Sequence, residues 1–401
     1  MQGLSSSIPG MDGGGGKVSR AGSCGSCLRM KTAKQILRRS TLWLALASGL
    51  LLGGCHVLGW RGPYRTPQPL PPPPIIDLHA HVAGIGAGGS GCLVSPELAG
   101  SWKFGVYLAA FGTTREELAA QGDDILVDRV AAQVAGATNV QAAVILALDG
   151  WVNEDGELDP SHTQVHVPND FVARGVARHP CLRFGASIHP RRKDALARLD
   201  AVAAQGAVLV KWIPSIMDID PADPALEPFY RRMAALGLPL LSHTGKERSF
   251  AWARDELADP ARLRLPLSLG VTVIAGHAAA GGENEGQRDF DRLVALMREH
   301  PRLYADISAL TQANRLGRLR EALAEPTLEG RLLYGSDFPL MNTALVSPWY
   351  FPDRLTRGQM RELGAITNAW DRDVALKRHL GVPADIFQRT AQVLDGRGRL
   401  H

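Results

Sequence analysis

The chain has 401 residues, of which 45% are hydrophobic and 21% are charged, and its formal net charge is only +4. This composition fits a globular protein with one large hydrophobic core or two modest ones. The body of the chain has no basic stretch with interleaved aromatic residues, which argues against a nucleic-acid-binding protein.

The first 54 residues form a low-complexity leader followed by a secretion signal. Residues 30–39 are basic, and the apolar run over residues 41–52 is too short for a spanning helix. The run ends in Leu-Gly-Gly before Cys55, which resembles the cleavage box of bacterial lipoproteins, and we predict that Met30 is the true start. The resemblance implies a lipid on Cys55 and a place at the periplasmic face of the cell envelope. Residue 56 is His and not Asp, which by the same resemblance points to the outer membrane. The alternative to a lipoprotein is a plain N-terminal anchor or an uncleaved helix.

A proline-rich tether over residues 55–74 follows the signal, and such a segment is extended and semi-rigid. The remaining residues, 75–395, are predicted to form one domain. Eight short apolar runs alternate there with longer amphipathic stretches. The runs lie at residues 75–81, 140–148, 182–188, 206–213, 238–243, 271–277, 303–308 and 331–337.

Helical spacing of apolar residues marks several of the intervening stretches, namely residues 123–135, 194–204, 226–236 and 290–300. Strands that alternate with helices predict a parallel sheet, and eight such units predict a closed (β/α)₈ TIM barrel. The alternative is an open doubly wound sheet, which would normally carry a Gly-x-Gly-x-x-Gly turn after its first strand. Residues 84–91 are rich in glycine but lack that pattern, and we predict a mobile loop there.

Polar side chains end five of the eight runs. His79 and His81 end the first, Lys211 lies near the end of the fourth, and three more follow at His243, His277 and Asp337. Side chains two residues apart share one face of a strand, so His79 and His81 are expected about 7 Å apart on the same side. Active sites of this barrel lie at the carboxyl ends of its strands, where these residues would meet.

These motifs resemble the amidohydrolase superfamily, in the branch with 2-amino-3-carboxymuconate-semialdehyde decarboxylase-like and dicarboxylate-lactonase-like members. The similarity covers residues 75 to the C-terminus. It implies that one divalent metal is bound by His79, His81, His243 and Asp337. Three histidines and one carboxylate suit zinc and would also accept manganese or iron.

The resemblance also implies a reaction. A bound divalent metal lowers the pKa of a water molecule to about 7. Asp337 would accept a proton from that water and pass it to the leaving group, and His277 would stabilise the developing oxyanion. The expected outcome is hydrolysis of an amide, ester or lactone in a small substrate. Non-oxidative decarboxylation of a small carboxylic acid is the alternative, and an inactive envelope binding protein is the third hypothesis.

Lys211 has two interpretations. In binuclear superfamily members a lysine at the end of the fourth strand is carbamylated and bridges two metals. In the mononuclear branch it would bind a substrate carboxylate or form an ion pair. Alternation places Val210 and Trp212 on the outer face, so Lys211 is predicted to point into the barrel. The predicted partners are a small-molecule substrate and a membrane, reached through the lipid anchor; homo-oligomerisation is left open.

Overall fold

The computed structural model describes residues 67–69 and 73–395. The predicted leader, Cys55 and most of the predicted tether lie outside the described residues. Among the helices that are described, none has both the length and the apolar character needed to cross a membrane.

Eight parallel strands form one sheet, in an order that follows the chain from first to last. Hydrogen bonds then join the segment after the last strand to the first strand: the amide of His81 donates to the carbonyl of Phe338 over 2.8 Å, and that of Asp337 to the carbonyl of His79 over 2.9 Å. The predicted (β/α)₈ barrel is therefore confirmed. The strands are β1 Ile76–His81, β2 Ala142–Leu146, β3 Leu182–Ala186, β4 Leu209–Trp212, β5 Leu240–His243, β6 Val273–Gly276, β7 Leu303–Asp306 and β8 Leu332–Leu333.

Helices cover the outside of the sheet, and the four predicted ones appear within a residue of their expected bounds. In chain order, the α-helices of the described residues are α1 Pro96–Gly100, α2 Trp102–Phe111, α3 Arg115–Gln121, α4 Asp124–Ala135, α5 Asn169–Ala177, α6 Ala195–Ala204, α7 Pro214–Met217, α8 Glu227–Leu236, α9 Arg264–Ser268, α10 Asp289–Glu299, α11 Arg318–Ala324, α12 Arg357–Ala365, α13 Ala369–His379 and α14 Ala384–Leu394.

A register shift in β1 sets the direction of the first two site histidines. The pairing of β1 with β2 is irregular between Asp77 and Ala80. Ile76 and Leu78 join an apolar cluster with inward residues of the other strands and Leu394 of α14. His79 and His81 are out of phase with these two residues, and their side chains reach the site described below. A bulge of this kind re-aims the side chains of a strand.

Asp77 ties the two ends of the barrel together. Its carboxylate accepts hydrogen bonds from the amide of Ser336 over 2.9 Å, from Ser336 Oγ, from Trp370 Nε1 over 2.8 Å and from the amide of His79 over 3.0 Å. These donors belong to β1, to the segment after β8 and to α13. Asp77 is fully buried. Its hydrogen bonds fix the backbone at His79 and at Ser336 to each other and to α13.

The glycine-rich segment after β1 is anchored, which differs from the predicted mobile loop. The carboxylate of Asp123 accepts from the amides of Ile85 and Gly86 over 3.0 and 2.8 Å, and from Ser90 Oγ over 2.5 Å. A Cβ added at Gly84 would lie 2.4 Å from Asp123 Oδ2. Glycine is thus used here for close approach to a buried carboxylate, a contact that the local sequence does not show.

Candidate metal centre

The barrel brings all the predicted site side chains to one end of the sheet. His79 and His81 come from β1, Lys211 from β4 and His243 from β5, His277 follows β6 directly, and Asp337 lies in the segment after β8. One ligand atom each of His79, His277 and Asp337 lies within 4.8 Å of the others. The three side chains are buried, as are Lys211 and His243. This group is the centre of the site.

His79 is the most completely bonded side chain of the group. Its Nδ1 lies 2.8 Å from Oδ2 of Asp306, the last residue of β7, and its Nε2 lies 3.0 Å from Lys211 Nζ. Because the carboxylate can only accept, the ring proton is on Nδ1 and the lone pair is on Nε2. Nε2 is therefore the atom of His79 that can bind a metal. It lies 4.0 Å from Oδ1 of Asp337.

Asp337 lies between the two histidines of β1 and the loop after β7. Its Oδ1 is 3.6 Å from Nε2 of His81, and its Oδ2 accepts from Gln312 Nε2 over 3.2 Å. Burial raises the pKa of this carboxyl to about 7, against the opposing charges of Arg315 and Lys211. A carboxyl with that pKa can exchange a proton at neutral pH.

His277 occupies strained backbone. Its φ is 58°, and the next two residues, Ala278 and Ala279, also have positive φ values of 48°. Residues other than glycine rarely adopt positive φ values, and those that do are often found at functional sites. The His277 ring stacks on that of His79, with centroids 4.9 Å apart, and its Nδ1 lies 2.8 Å from Ser308 Oγ.

The Ser308 hydroxyl determines which nitrogen of His277 carries the proton. Its Oγ also makes a short contact with Oδ1 of Asp306, which can only accept, so the hydroxyl proton points to Asp306. Ser308 Oγ must then accept from Nδ1 of His277. The Nε2 atom of His277 is left with a lone pair, which suits a metal ligand or a proton acceptor and not an oxyanion donor.

His243 lies on the far side of His277, with ring centroids 4.9 Å apart. Its Nδ1 is 3.4 Å from Oε2 of Glu247. Its Nε2 is buried and makes no hydrogen bond to any described residue. An unbonded, buried nitrogen costs free energy unless it has a ligand, so this atom is itself an indication of a bound group.

Burial keeps these rings neutral. It lowers the pKa of His79 and of His277 well below the ordinary range, assisted by the charges of Lys211 and Arg315 respectively. It also lowers the pKa of His81 to about 3 and that of His243 to about 4. Neutral imidazole is the form that binds metal ions. The donor set of imidazole nitrogens with one carboxylate fits zinc, and manganese or iron as well.

Lys211 points into the barrel, as alternation along its strand predicts. Its neighbour Trp212 faces outward, where its ring packs beside Phe229 and Tyr230. Burial lowers the pKa of Lys211 to about 8, opposed mainly by Asp306. The amine is therefore a cation at neutral pH, placed directly beside the ligand atom of His79.

Sequence patterns missed two charged residues of this site. Asp306 ends β7 just as His243 ends β5, so the polar residue at the end of an apolar run was the available signal. Arg315 lies in the loop after β7, where no periodicity marks it. Its Nη1 is buried and bonds to no described residue. Burial lowers the pKa of Arg315. This shift is opposed by the negative charges of Asp337, Glu247 and Asp306.

Comparison with known proteins concerns the same part of the chain. The sequence profile of the amidohydrolase family matches residues 76–355. No curated protein sequence matches the chain.

Among solved structures, an uncharacterised TIM-barrel protein from Bordetella bronchiseptica is similar, with 17% identity, a TM-score of 0.46 and coverage of 76% of this chain and 98% of the other. A probable 2-pyrone-4,6-dicarboxylic acid hydrolase from Acinetobacter baumannii has 14% identity, a TM-score of 0.44 and coverage of 80% and 95%. A 5-carboxyvanillate decarboxylase from Sphingomonas paucimobilis has 13% identity, a TM-score of 0.45 and coverage of 80% and 98%.

Proposed function

Because the chain belongs to the amidohydrolase family, matched over residues 76–355, we propose that it is a metal-dependent hydrolase of a small substrate with an amide, ester or lactone bond. The observation that carries this proposal is the convergence of His79, His277 and Asp337, whose ligand atoms lie within 4.8 Å of one another. The unbonded Nε2 of His243 supports it independently.

In this proposal His79, His81, His243 and Asp337 hold one divalent cation, and His277 presents its Nε2 lone pair to the same space. The cation, when bound, supplies a Lewis acid that makes a water molecule acidic enough to attack at neutral pH. Asp306 and Glu247 stay outside the ligand set and orient His79 and His243.

Asp337 is the proposed proton carrier. Its carboxylate lies within 4.8 Å of the ligand atoms of His79 and His277, where it would take the proton of the attacking water and return it to the leaving group. The resemblance implies that His277 stabilises an oxyanion, but its contact with Ser308 favours a lone pair on Nε2. We therefore assign His277 to the metal or to a second proton-accepting role, and the positive charge of Lys211 or Arg315 to the developing oxyanion.

Lys211 and Arg315 also indicate which chemical group the substrate carries. Lys211 is buried beside His79, and Arg315 has an Nη1 atom that bonds to no described residue. A guanidinium whose buried Nη1 has no partner among the described residues is suited to a carboxylate. We propose a substrate that carries at least one carboxylate. A free, unmodified Lys211 with one metal fits this proposal, whereas a carbamylated Lys211 would require a second metal.

Removal of metal is the test of the proposed function. We expect dialysis against a chelator to abolish hydrolysis of the best substrate in a panel of small carboxylated amides, esters and lactones. Addition of zinc or manganese should restore it, and elemental analysis should then find one metal per chain. Full activity in a protein shown to be free of metal would contradict the proposal.

Decarboxylation is the second candidate, because a carboxylate held by Lys211 and Arg315 could itself be the group that leaves. In that case the metal-loaded protein would release carbon dioxide from aromatic or muconate-like acids and hydrolyse none of the panel. A metal-replete protein that performs neither reaction would favour the third hypothesis, an inactive binding protein of the envelope.

We also propose that Cys55 is lipidated and holds the protein at the periplasmic face of the bacterial envelope, in the outer membrane. The support is the pattern of basic, apolar and small residues before Cys55. In a bacterial host, Cys55→Ala is expected to move the protein out of the membrane fraction. The matched variant Cys181→Ala should fractionate as the wild type does. Unchanged fractionation of Cys55→Ala would exclude the lipid anchor.

A further inference from the structure

His243 differs from the other histidines of the site in how its two nitrogens are placed. Nε2 is buried and bonds to no described residue, and Nδ1 faces a carboxylate of the same loop, Oε2 of Glu247, at 3.4 Å. Only 4% of the His243 side chain and 6% of the Glu247 side chain are exposed. The carboxylate therefore acts on the ring with little screening by water.

The Glu247 carboxylate is held from its other oxygen. Oε1 accepts from the amides of Arg248 and Ser249 over 2.7 and 2.6 Å. The two amides fix this oxygen in place, and the second oxygen of Glu247 is thereby directed at Nδ1 of His243.

Side chains from another part of the chain hold the turn that supplies these amides. In α2, Lys103 Nζ donates to the carbonyl of Arg248 over 2.8 Å, and Tyr107 Oη donates to that of Ser249 over 3.0 Å. Gln164 accepts from the amide of Ala251 over 2.8 Å. The turn cannot rotate Glu247 away without breaking these contacts.

We propose that Glu247 is a positioning residue, which keeps the proton of His243 on Nδ1 and thereby directs the Nε2 lone pair to the metal. This inference rests on the proposed function, since it assumes that His243 is a metal ligand. A carboxylate on the remote nitrogen of a metal-binding histidine orients the ring and raises its basicity, and loss of such a partner costs about 10–100-fold in metal affinity.

The first measurement uses the wild-type protein without metal. Nitrogen-15 NMR of the histidine rings, assigned with a His243→Gln variant, should show His243 neutral with its proton on Nδ1. A proton on Nε2 would overturn the proposal, whatever any variant does.

The second measurement compares zinc affinity by competition with a chromogenic chelator. Glu247→Gln places an amide where the carboxylate was, so we expect roughly 10–100-fold weaker binding and a shift of the proton to Nε2. Glu247→Asp, which keeps the charge, should recover part of the loss. Glu256→Gln, an exposed glutamate 54% accessible in the same loop, is the matched control and should bind as the wild type does.

The outcomes separate this inference from the proposed function. If the wild type binds no divalent ion, the proposed function fails. If the wild type binds zinc and Glu247→Gln binds it equally well with the proton still on Nδ1, the positioning role is overturned and the metal site stands.

Discussion

Replacement of Asp337 by asparagine is expected to lower kcat by about 10²–10⁴-fold, because the amide keeps the shape of the side chain and can neither carry the proton nor bind a cation as a carboxylate does. The effect should be among the largest of any single substitution, since this carboxyl lies 3.6 Å from His81 and 4.0 Å from His79. The fold should survive, because asparagine can still accept the Gln312 hydrogen bond.

We would measure kcat and the amount of bound metal for Asp337→Asn and, as a control, for Asp353→Asn. Asp353 also lies in the chain after β8, and its side chain is 63% exposed. We expect Asp353→Asn to match the wild type in both quantities. An Asp337→Asn protein with native circular dichroism and unchanged kcat would remove Asp337 from the mechanism.

The second large effect concerns stability. Gly245→Ala is expected to destabilise the protein by about 3 kcal/mol or more, because two costs combine there. Gly245 has φ of +82°, and a Cβ on it would lie 2.1 Å from the carbonyl oxygen of Gly281. That carbonyl also accepts from the amide of Lys246 over 2.8 Å, so it cannot move freely.

Gly281→Ala is the matched control for this prediction. The added Cβ would meet no atom within 4 Å, so we expect a change of about 0.5 kcal/mol or less in the free energy of unfolding. Urea denaturation of the two variants measures the difference. Equal midpoints would show that the loops after β5 and β6 do not depend on this close approach.

Most of the barrel and most of its site follow from the sequence, because both depend on alternation. Each parallel strand is an apolar run, and the polar residue at its end lies at the carboxyl edge where all eight strands meet. This argument predicts that Lys211 points into the barrel, where its Nζ lies 3.0 Å from His79 Nε2, whereas His79 itself reaches the site through the irregularity in β1. His277 was also predicted to lie at this edge, but its left-handed backbone, with φ of 58°, is a feature that no local pattern predicts.

Contacts between distant loops explain the rest of the difference. The anchoring of residues 84–91 requires Asp123, and the positioning of His243 requires a turn that Lys103 and Tyr107 hold. None of these pairs shares a periodic element, so composition and spacing carry no information about them. Several strands were also predicted too long, at their starts as well as at their ends, because the terminal residues of the apolar runs lie outside the sheet.

The hydrogen bonds of Asp77, which join β1 to the segment after β8, have a consequence for the stage at which the metal site is complete. Asp77 and Ser336 are 259 residues apart, yet the proposed ligands His79 and Asp337 flank this contact. During synthesis, a chain that has not yet extended past β8 lacks the carboxylate of the site and the hydrogen bonds that close the ring. With the proposed ligand set, the complete metal site therefore forms only once the barrel has closed, unlike the small domains whose folding a metal drives. Uptake of the ion would then report that translation and closure are both finished.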